Sequence, residues 1–267
     1  MKECLIVIAS FADGYLDNLL TSIEKNTTDV DYQIQVVDNN RDDKLVKTRV
    51  INVCEKHGVP YHVNKEILGY SDSLNTGVSI NESTSQYILY MDSDTLVCEG
   101  WLSEMINCYD RHKDEGCRLV GPLVQNFNKI YLPEMYNYTK NINELVNKDF
   151  KIKSETYLVG VCYLRERSTL NKFKWDKNFT RAYSEDNDFS NQVNFWGYSV
   201  WIAGKSLIYH KVNSSHVHMR NEGAVPGDIG LKNRIYLNEK WTTIKKNKNK
   251  VTPEKLLEMT LGTYFKK

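Results

Sequence analysis

Apolar and polar positions come in regular blocks along the first hundred residues. An apolar run over 4–9 is followed by Leu16, Leu19, Leu20 and Ile23 at helical spacing, then by a second run over 34–37 that stops on Asp38-Asn39-Asn40. Short apolar runs bounded by polar turns predict buried strands, and recurrence every three or four residues predicts helices packed by one face. The blocks repeat as a helix over 45–57 closed by Gly58, a short strand over 61–63 after Pro60, a helix over 73–80, and a strand over 87–91 that runs into Asp92-Ser93-Asp94. Glycine just past a helix supplies the left-handed residue that ends it, and a following proline cannot continue it. Such alternation predicts an α/β fold with a mostly parallel central sheet flanked by helices. Each polar cluster follows a strand, so Ser10, Asp38, Asp92 and Asp94 are expected at the carboxyl edge of the sheet, where open α/β sheets bind ligands.

Beyond residue 98 the pattern is less regular. It predicts a helix over 101–109, a strand over 118–120 broken by Gly121-Pro122, a polar insertion rich in Tyr and Asn over 127–150, and a strand over 157–164. A helix carrying Phe189, Val193 and Trp196 then ends before Gly197, and a further strand covers 198–202. No repeat and no Pro/Gly-rich linker interrupts the chain, which predicts one domain over 1–227, in halves of 1–97 and 98–227, with a helical appendage over 228–267. In that appendage the basic run 245–250 reads as a solvated loop. Leu256, Leu257, Met259 and Leu261 form an amphipathic stretch suited to packing on the body, with peripheral contact to a membrane surface as the alternative.

Composition then narrows the partners. With 35 Lys and Arg against 34 Asp and Glu, the net charge of +1 leaves no basic excess, and no nucleic-acid partner is indicated. A chain of 267 residues can bury a substantial core. Its opening MKECLIVIAS is too short and too interrupted for a membrane span and lacks a signal-peptide cleavage pattern. The six cysteines, Cys4, Cys54, Cys98, Cys108, Cys117 and Cys162, form no Cys-x-x-Cys pair and sit among apolar neighbours. These features lead to the expectation of a cytoplasmic protein, at most peripheral to a membrane, with buried thiols and no zinc site.

The candidate chemistry centres on the Asp92-Ser93-Asp94 triplet. Two hard oxygen ligands at a strand end suit Mg²⁺ or Mn²⁺, which keep some waters and take remaining ligands from substrate phosphates. A solvated turn would use the same residue types. Three other features accompany the triplet in a fixed order: Val36-Val37-Asp38-Asn39-Asn40, then Leu68-Gly69-Tyr70-Ser71 with Asn75 and Gly77, and, after the triplet, Glu185-Asp186-Asn187-Asp188.

In that order the four features resemble the family 2 glycosyltransferases of the GT-A fold, over residues 4–218. The resemblance implies a GT-A-like fold whose nucleotide-binding half is 1–97 and whose acceptor half is 98–227. It implies a metal-dependent, inverting enzyme that moves a sugar from a UDP- or dTDP-sugar donor to a hydroxyl of a glycan or other acceptor. Donor contacts are implied at Ser10, Asp38, Asn40, Gly69, Asn75, Asp92 and Ser93, with Ser10 and Asp38 at the base and ribose and Asp92 at ribose or sugar hydroxyls. Asp94 is implied as a ligand of Mn²⁺ or Mg²⁺. Asp186 is implied as the base that takes the acceptor proton, Glu185 as its support, and Asp188 as a charge complementing the helix N-terminus. A further metal ligand is implied among the histidines. His218 is favoured, His216 alternates with it, and His210 competes because it too follows an apolar strand.

Asn233 with Lys240-Trp241 resembles a segment that packs beside the active site in some members, although Thr242 stands where relatives have glycine. Residues 220–230, with Gly223, Pro226, Gly227 and Gly230, have the composition of a loop that closes over a donor, or of an ordinary surface connection. Tyr131, Tyr136 and Tyr138 of the insertion suit stacking on a sugar and core packing equally. Two rivals remain. A sugar-phosphate nucleotidyltransferase would open with a basic, Gly-rich phosphate loop, whereas residues 10–15 hold neither Lys nor Arg; a non-catalytic nucleotide-sugar-binding module would leave Glu185-Asp186 unexplained.

Overall fold

Five consecutive strand residues from Cys4 to Ile8 have no solvent exposure at all, which requires cover on both faces of their strand. The computed structural model describes residues 4–10, 14–39, 44–66, 68–126, 129–131, 147–154, 157–211, 228–247 and 251–260. Asn40, His216, His218, Tyr136, Tyr138 and residues 220–227 lie outside them. The first half comprises β1 (Cys4–Ser10), α1 (Leu16–Asn26), β2 (Tyr32–Asp38), α2 (Lys44–Lys56), β3 (Tyr61–Val63), α3 (Tyr70–Ile80), β4 (Tyr87–Asp92) and β5 (Thr95–Val97). The second comprises α4 (Trp101–His112), β6 (Cys117–Asn126), β7 (Lys129–Tyr131), β8 (Phe150–Lys151), β9 (Cys162–Glu166), α5 (Glu185–Phe195), β10 (Ser199–His210), α6 (Ile229–Lys246) and α7 (Pro253–Thr260).

One mixed sheet runs through the molecule in the order β3-β2-β1-β4-β9-β6-β10-β5, with β7 on β6 and β8 on β10. Pairing is parallel from β3 through β4 and mixed beyond it, so the parallel character belongs to the first half. The sheet divides the apolar interior into two layers. Cys4, Ile6 and Ile8 of β1 meet Leu16, Leu19, Leu20 and Ile23 of α1 on one face, and Leu5 and Val7 meet Leu74 of α3 on the other. Strand residues buried on both sides give the continuous apolar runs from which these strands were legible.

Three expectations for the second half change. Pro122 does not break its strand: β6 runs through it, opposite Ala203, and the partner register then jumps so that Leu123 faces Leu207. This irregularity in β10 absorbs the residue that cannot donate to the ladder. Gly121 has a packing reason, because a Cβ there would stand 2.6 Å from Leu158 Cδ2. The strand expected over 157–164 begins only at Cys162, and residues 157–161 run as an irregular segment into the functional site. β10 also continues well past residue 202, joining the apolar 207–209 run to the preceding strand.

The C-terminal helices close a third apolar cluster, in which Leu237, Trp241 and Ile244 of α6, Val251, and Leu256 of α7 pack around Phe179. Among the described residues no helix is long and apolar enough to cross a membrane. All six cysteines are free thiols, five of them buried and Cys98 partly so.

Candidate active site

Strand register brings the first polar residues together. Ser10 pairs with Asp38 across β1 and β2, and Ala9 pairs with Asp92 across β1 and β4, so the ends of three parallel strands carry Ser10, Asp38 and Asp92 along one edge. Ser10 and Asp38 are buried there. Asn39, passed over between the two neighbours singled out from the sequence, organises this edge. Its side-chain oxygen accepts from the backbone N–H groups of Leu68 (2.9 Å) and Gly69 (3.2 Å), while its own N–H donates to Ser10 O (3.1 Å). Asn75 donates its amide to the carbonyl of Trp175 (2.8 Å), which ties α3 to the segment preceding α5.

Gly69 stands where that edge meets the second half. Its φ of +126° is open to glycine and little else, and a Cβ would lie 2.9 Å from the backbone nitrogen of Arg181. The next residue, Tyr70, donates its N–H to Arg181 O (2.8 Å).

The acidic triplet is set by the short strand β5, which no sequence pattern singled out. β5 pairs antiparallel with β10 so that Thr95 faces His210, and Lys211 N donates to Asp94 O (3.0 Å). Ligand atoms of Asp92, Asp94 and His210 consequently lie within 4.8 Å of one another, with His210 Nε2 3.4 Å from Asp94 Oδ1. Among the described residues His210 is the histidine that reaches the acidic pair; His218 and His216 fall outside them. Two carboxylates and an imidazole supply oxygen and nitrogen donors that fit Mn²⁺, and Mg²⁺ with less use of the histidine. The wall of an adjoining cleft of about 260 Å³ contains Asp94 and His210, with Tyr15, Gln125, Tyr209 and Lys211 around them. Lys211, also passed over in the sequence, places its ammonium 4.2 Å over the Tyr15 ring and bonds its hydroxyl.

A second group, Cys108, His112 and Asp149, has metal-ligand residue types at similar separations, but its donors are used within the scaffold. Asp149 accepts from Arg111 Nη2 (2.7 Å), Arg111 Nε (3.0 Å) and Gly204 N (3.3 Å), and His112 is stacked on Trp201 at 3.6 Å.

The second acidic pair opens α5. Asp186 accepts from Gly160 N through Oδ2 (3.1 Å) and from Asn187 N through Oδ1 (2.7 Å). Glu185 is buried, and its Oε2 has no hydrogen-bond partner among the described residues. Burial, reinforced by repulsion from Asp186, pushes the Glu185 carboxyl up to about 8. Burial also pushes Asp186 up to about 6, against the pull of the Asn187 and Gly160 N–H groups. The irregular 157–161 segment links this pair to the triplet. Gly160 N holds Asp186, Val161 O accepts from Asp92 N (3.0 Å), and Gly160 O accepts from the Tyr70 hydroxyl (3.0 Å). Burial, and next the charge of Asp92, raise the Tyr70 hydroxyl well above the ordinary tyrosine value. Asp92 and Asp186 are therefore held by two consecutive residues.

Asp188 stands in the first turn of α5, and its charge does more than complement the helix N-terminus. It is fully buried, lies 2.8 Å from Lys240 Nζ, and accepts from Trp241 Nε1 (2.8 Å) and Gln192 Nε2 (2.8 Å). Lys240 bridges to buried Asp176 at 2.7 Å, where the Tyr236 hydroxyl also donates (2.8 Å). These contacts dock α6 against the start of α5, and α6 continues as helix through Thr242 to Lys246 with no turn.

Comparison with known proteins follows the same division. A family model described as glycosyl transferase family 2 matches residues 4–173, more than half of the chain. The search of curated proteins gave no match to the chain. Among solved structures, GalNAc-T7 with UDP, GalNAc and Mn²⁺ superposes with a TM-score of 0.62 at 14% identity, covering 78% of this chain and 43% of that one. Residues 1–349 of S. aureus TarS give 0.58 at 13% identity, covering 81% and 62% respectively. The S. aureus TarS structure also gives 0.58 at 13% identity, covering 82% of this chain and 38% of that one. The chain thus spans less than two thirds of each of these proteins, and the likeness to them is one of fold.

Proposed function

The chain belongs to glycosyl transferase family 2 and has the GT-A fold, and from that premise we propose that it is a metal-dependent, inverting transferase moving a hexosyl group from a UDP- or dTDP-sugar to an acceptor hydroxyl. One observation carries the reading: the backbone N–H of Asp92 and the carboxylate of Asp186 are bonded to adjacent residues, Val161 and Gly160, which supports an acid pair shared between the donor edge and the acceptor side. The GalNAc-T7 neighbour was crystallised with UDP and Mn²⁺, which supports the choice of donor and ion.

In this reading Ser10 and Asp38 accept from the donor's base and ribose, and the Asn39-anchored turn at Gly69 brings backbone close to it. Asp94 and His210, with Asp92 beside them, would hold Mn²⁺ or Mg²⁺, which when bound neutralises charge gathering on the departing diphosphate. Asp186 takes the acceptor proton. Its carboxyl, raised to about 6, remains ionised at neutral pH yet is more basic than an exposed aspartate, as a proton acceptor near that pH requires. Glu185 stays protonated at neutral pH, so only one of the two adjacent carboxyls carries charge.

The test is release of nucleoside diphosphate from UDP-, dTDP- and GDP-sugars with Mn²⁺, followed in the wild type and in Asp186→Asn. Expected is release with a uridine or thymidine donor that collapses in the variant, while donor-induced thermal stabilisation persists. Equal rates in both proteins would refute the base assignment, and formation of a nucleoside triphosphate from pyrophosphate would replace transfer by nucleotidyl chemistry.

A further inference from the structure

We infer that Asn233 is a positioning residue for Asp186: its side-chain amide holds the strained turn that aims the acid pair. The inference rests on the reading of Asp186 as the base and adds a residue to that machinery. Just before α5, Arg181, Tyr183 and Ser184 have φ values of +65°, +80° and +72°. None is glycine, and side chains at positive φ persist where the surroundings over-determine them. Asn233, buried on α6, supplies that restraint. Its Nδ2 meets the carbonyl oxygens of Thr180 (3.1 Å), Ala182 (2.7 Å) and Tyr183 (3.1 Å). Its Oδ1 accepts from the Thr180 hydroxyl (3.4 Å), which orients the amide with nitrogen toward the carbonyls. From the opposite side Tyr70 N donates to Arg181 O. The turn passes directly into α5, where Asp188 N donates to Ser184 O (3.0 Å), so its geometry sets where Asp186 meets Gly160 N.

Asn233→Asp keeps size and shape but replaces the donating nitrogen with an oxygen that repels the three carbonyls. The expected result is a loss of about tenfold or more in kcat with donor KM within about twofold, since misplacing a reacting group lowers rate with little effect on binding. The acid limb of the pH–rate profile should move, and hydrogen exchange at the amides of Gly160 and residues 181–187 should accelerate. Leu237→Ala, one turn further along α6 and confined to the third apolar cluster, is the control: its Tm should fall while kcat and exchange at those amides stay at wild-type values. Should Asn233→Asp fail to fold, Asn233→Ser replaces it, with an intermediate loss of kcat expected. If either Asn233 variant turns over at the wild-type rate with unchanged exchange while Asp186→Asn is inactive, the positioning role is wrong and the base assignment stands. If Asp186→Asn itself is fully active, the base assignment fails and this role falls with it.

Discussion

Replacing Lys240 with methionine should destabilise the fold heavily. The ammonium has no solvent exposure and stands 2.7 Å from Asp176 and 2.8 Å from Asp188, both buried. Burial opposes its charge, but the two carboxylates outweigh that and hold it protonated above the ordinary lysine value. Methionine preserves most of the volume, so the loss is electrostatic: two buried carboxylates would face one another with, among the described residues, Tyr236, Trp241, Gln192 and Asn178 donating to them. Removing one partner of a buried ion pair costs about 3–5 kcal/mol. At roughly 2–4 °C per kcal/mol for a large domain, Tm should fall by on the order of 10 °C or more. The sign of the pH dependence follows from Asp188, which burial raises and Lys240 pulls down. Without the lysine its folded-state pKa rises further, and a carboxyl raised in the folded state contributes stability at low pH that is lost as pH increases through the raised value. The deficit should therefore be larger at pH 7 than at pH 5, and Asp188→Asn in the same chain should recover part of it. Thermal unfolding followed by circular dichroism at both pH values tests this; a Tm within about 2 °C of wild type at pH 7 would refute the buried triad.

Three further expectations concern the site. The transfer rate should climb with pH through the region near 6 and level off above it, because the Asp186 carboxyl, raised to about 6 by burial, must be ionised to act; a rate independent of pH between 5 and 8 would contradict this. Gly69→Ala meets both a left-handed φ and the Arg181 nitrogen at 2.9 Å, and should cost about 1–3 kcal/mol while weakening donor binding, as read by chemical denaturation and a donor titration. Chelation should abolish turnover reversibly, with Asp94→Ala and His210→Ala weakening Mn²⁺ binding in calorimetry; an unaltered Mn²⁺ affinity in both would remove these residues from the ligand set.

What was legible in the sequence was local. Leu16, Leu19, Leu20 and Ile23 share a face because helical period dictates it, and all four are buried. Ser10, Asp38 and Asp92 meet because parallel strands end at a common edge. What was not legible involves partners distant in the chain. Asp188 is an acidic first-turn residue of its helix, but its partners Lys240 and Trp241 are joined to it by no spacing rule. Pro122 breaks a strand by local propensity, but the β10 irregularity that accommodates it lies some eighty residues away. His210 was one of three competing histidines, and pairing of β5 with β10 brings it to Asp94.

These long-range partners divide the molecule's chemistry unequally. The family model ends at residue 173, after Ser10, Asp38, Gly69, Asp92 and Asp94 and before Asp186, His210, Asn233 and Lys240. Of these, Ser10, Asp38 and Asp92 sit at the ends of parallel strands, a placement that any sequence with the right apolar runs would produce. The acid pair instead starts a helix behind a left-handed turn, and that turn depends on α6 for its carbonyl partners and on Lys240 for the anchoring of Asp188. Losing the α6 contacts that hold this turn and Asp188 should consequently impair acceptor turnover before it impairs nucleotide binding. Nucleotide affinity and transfer rate measured together across the Asn233 and Lys240 variants separate the two halves: affinity should hold while rate falls, and a parallel decline of both would mean that the sheet edge and the acid pair form a single cooperative unit.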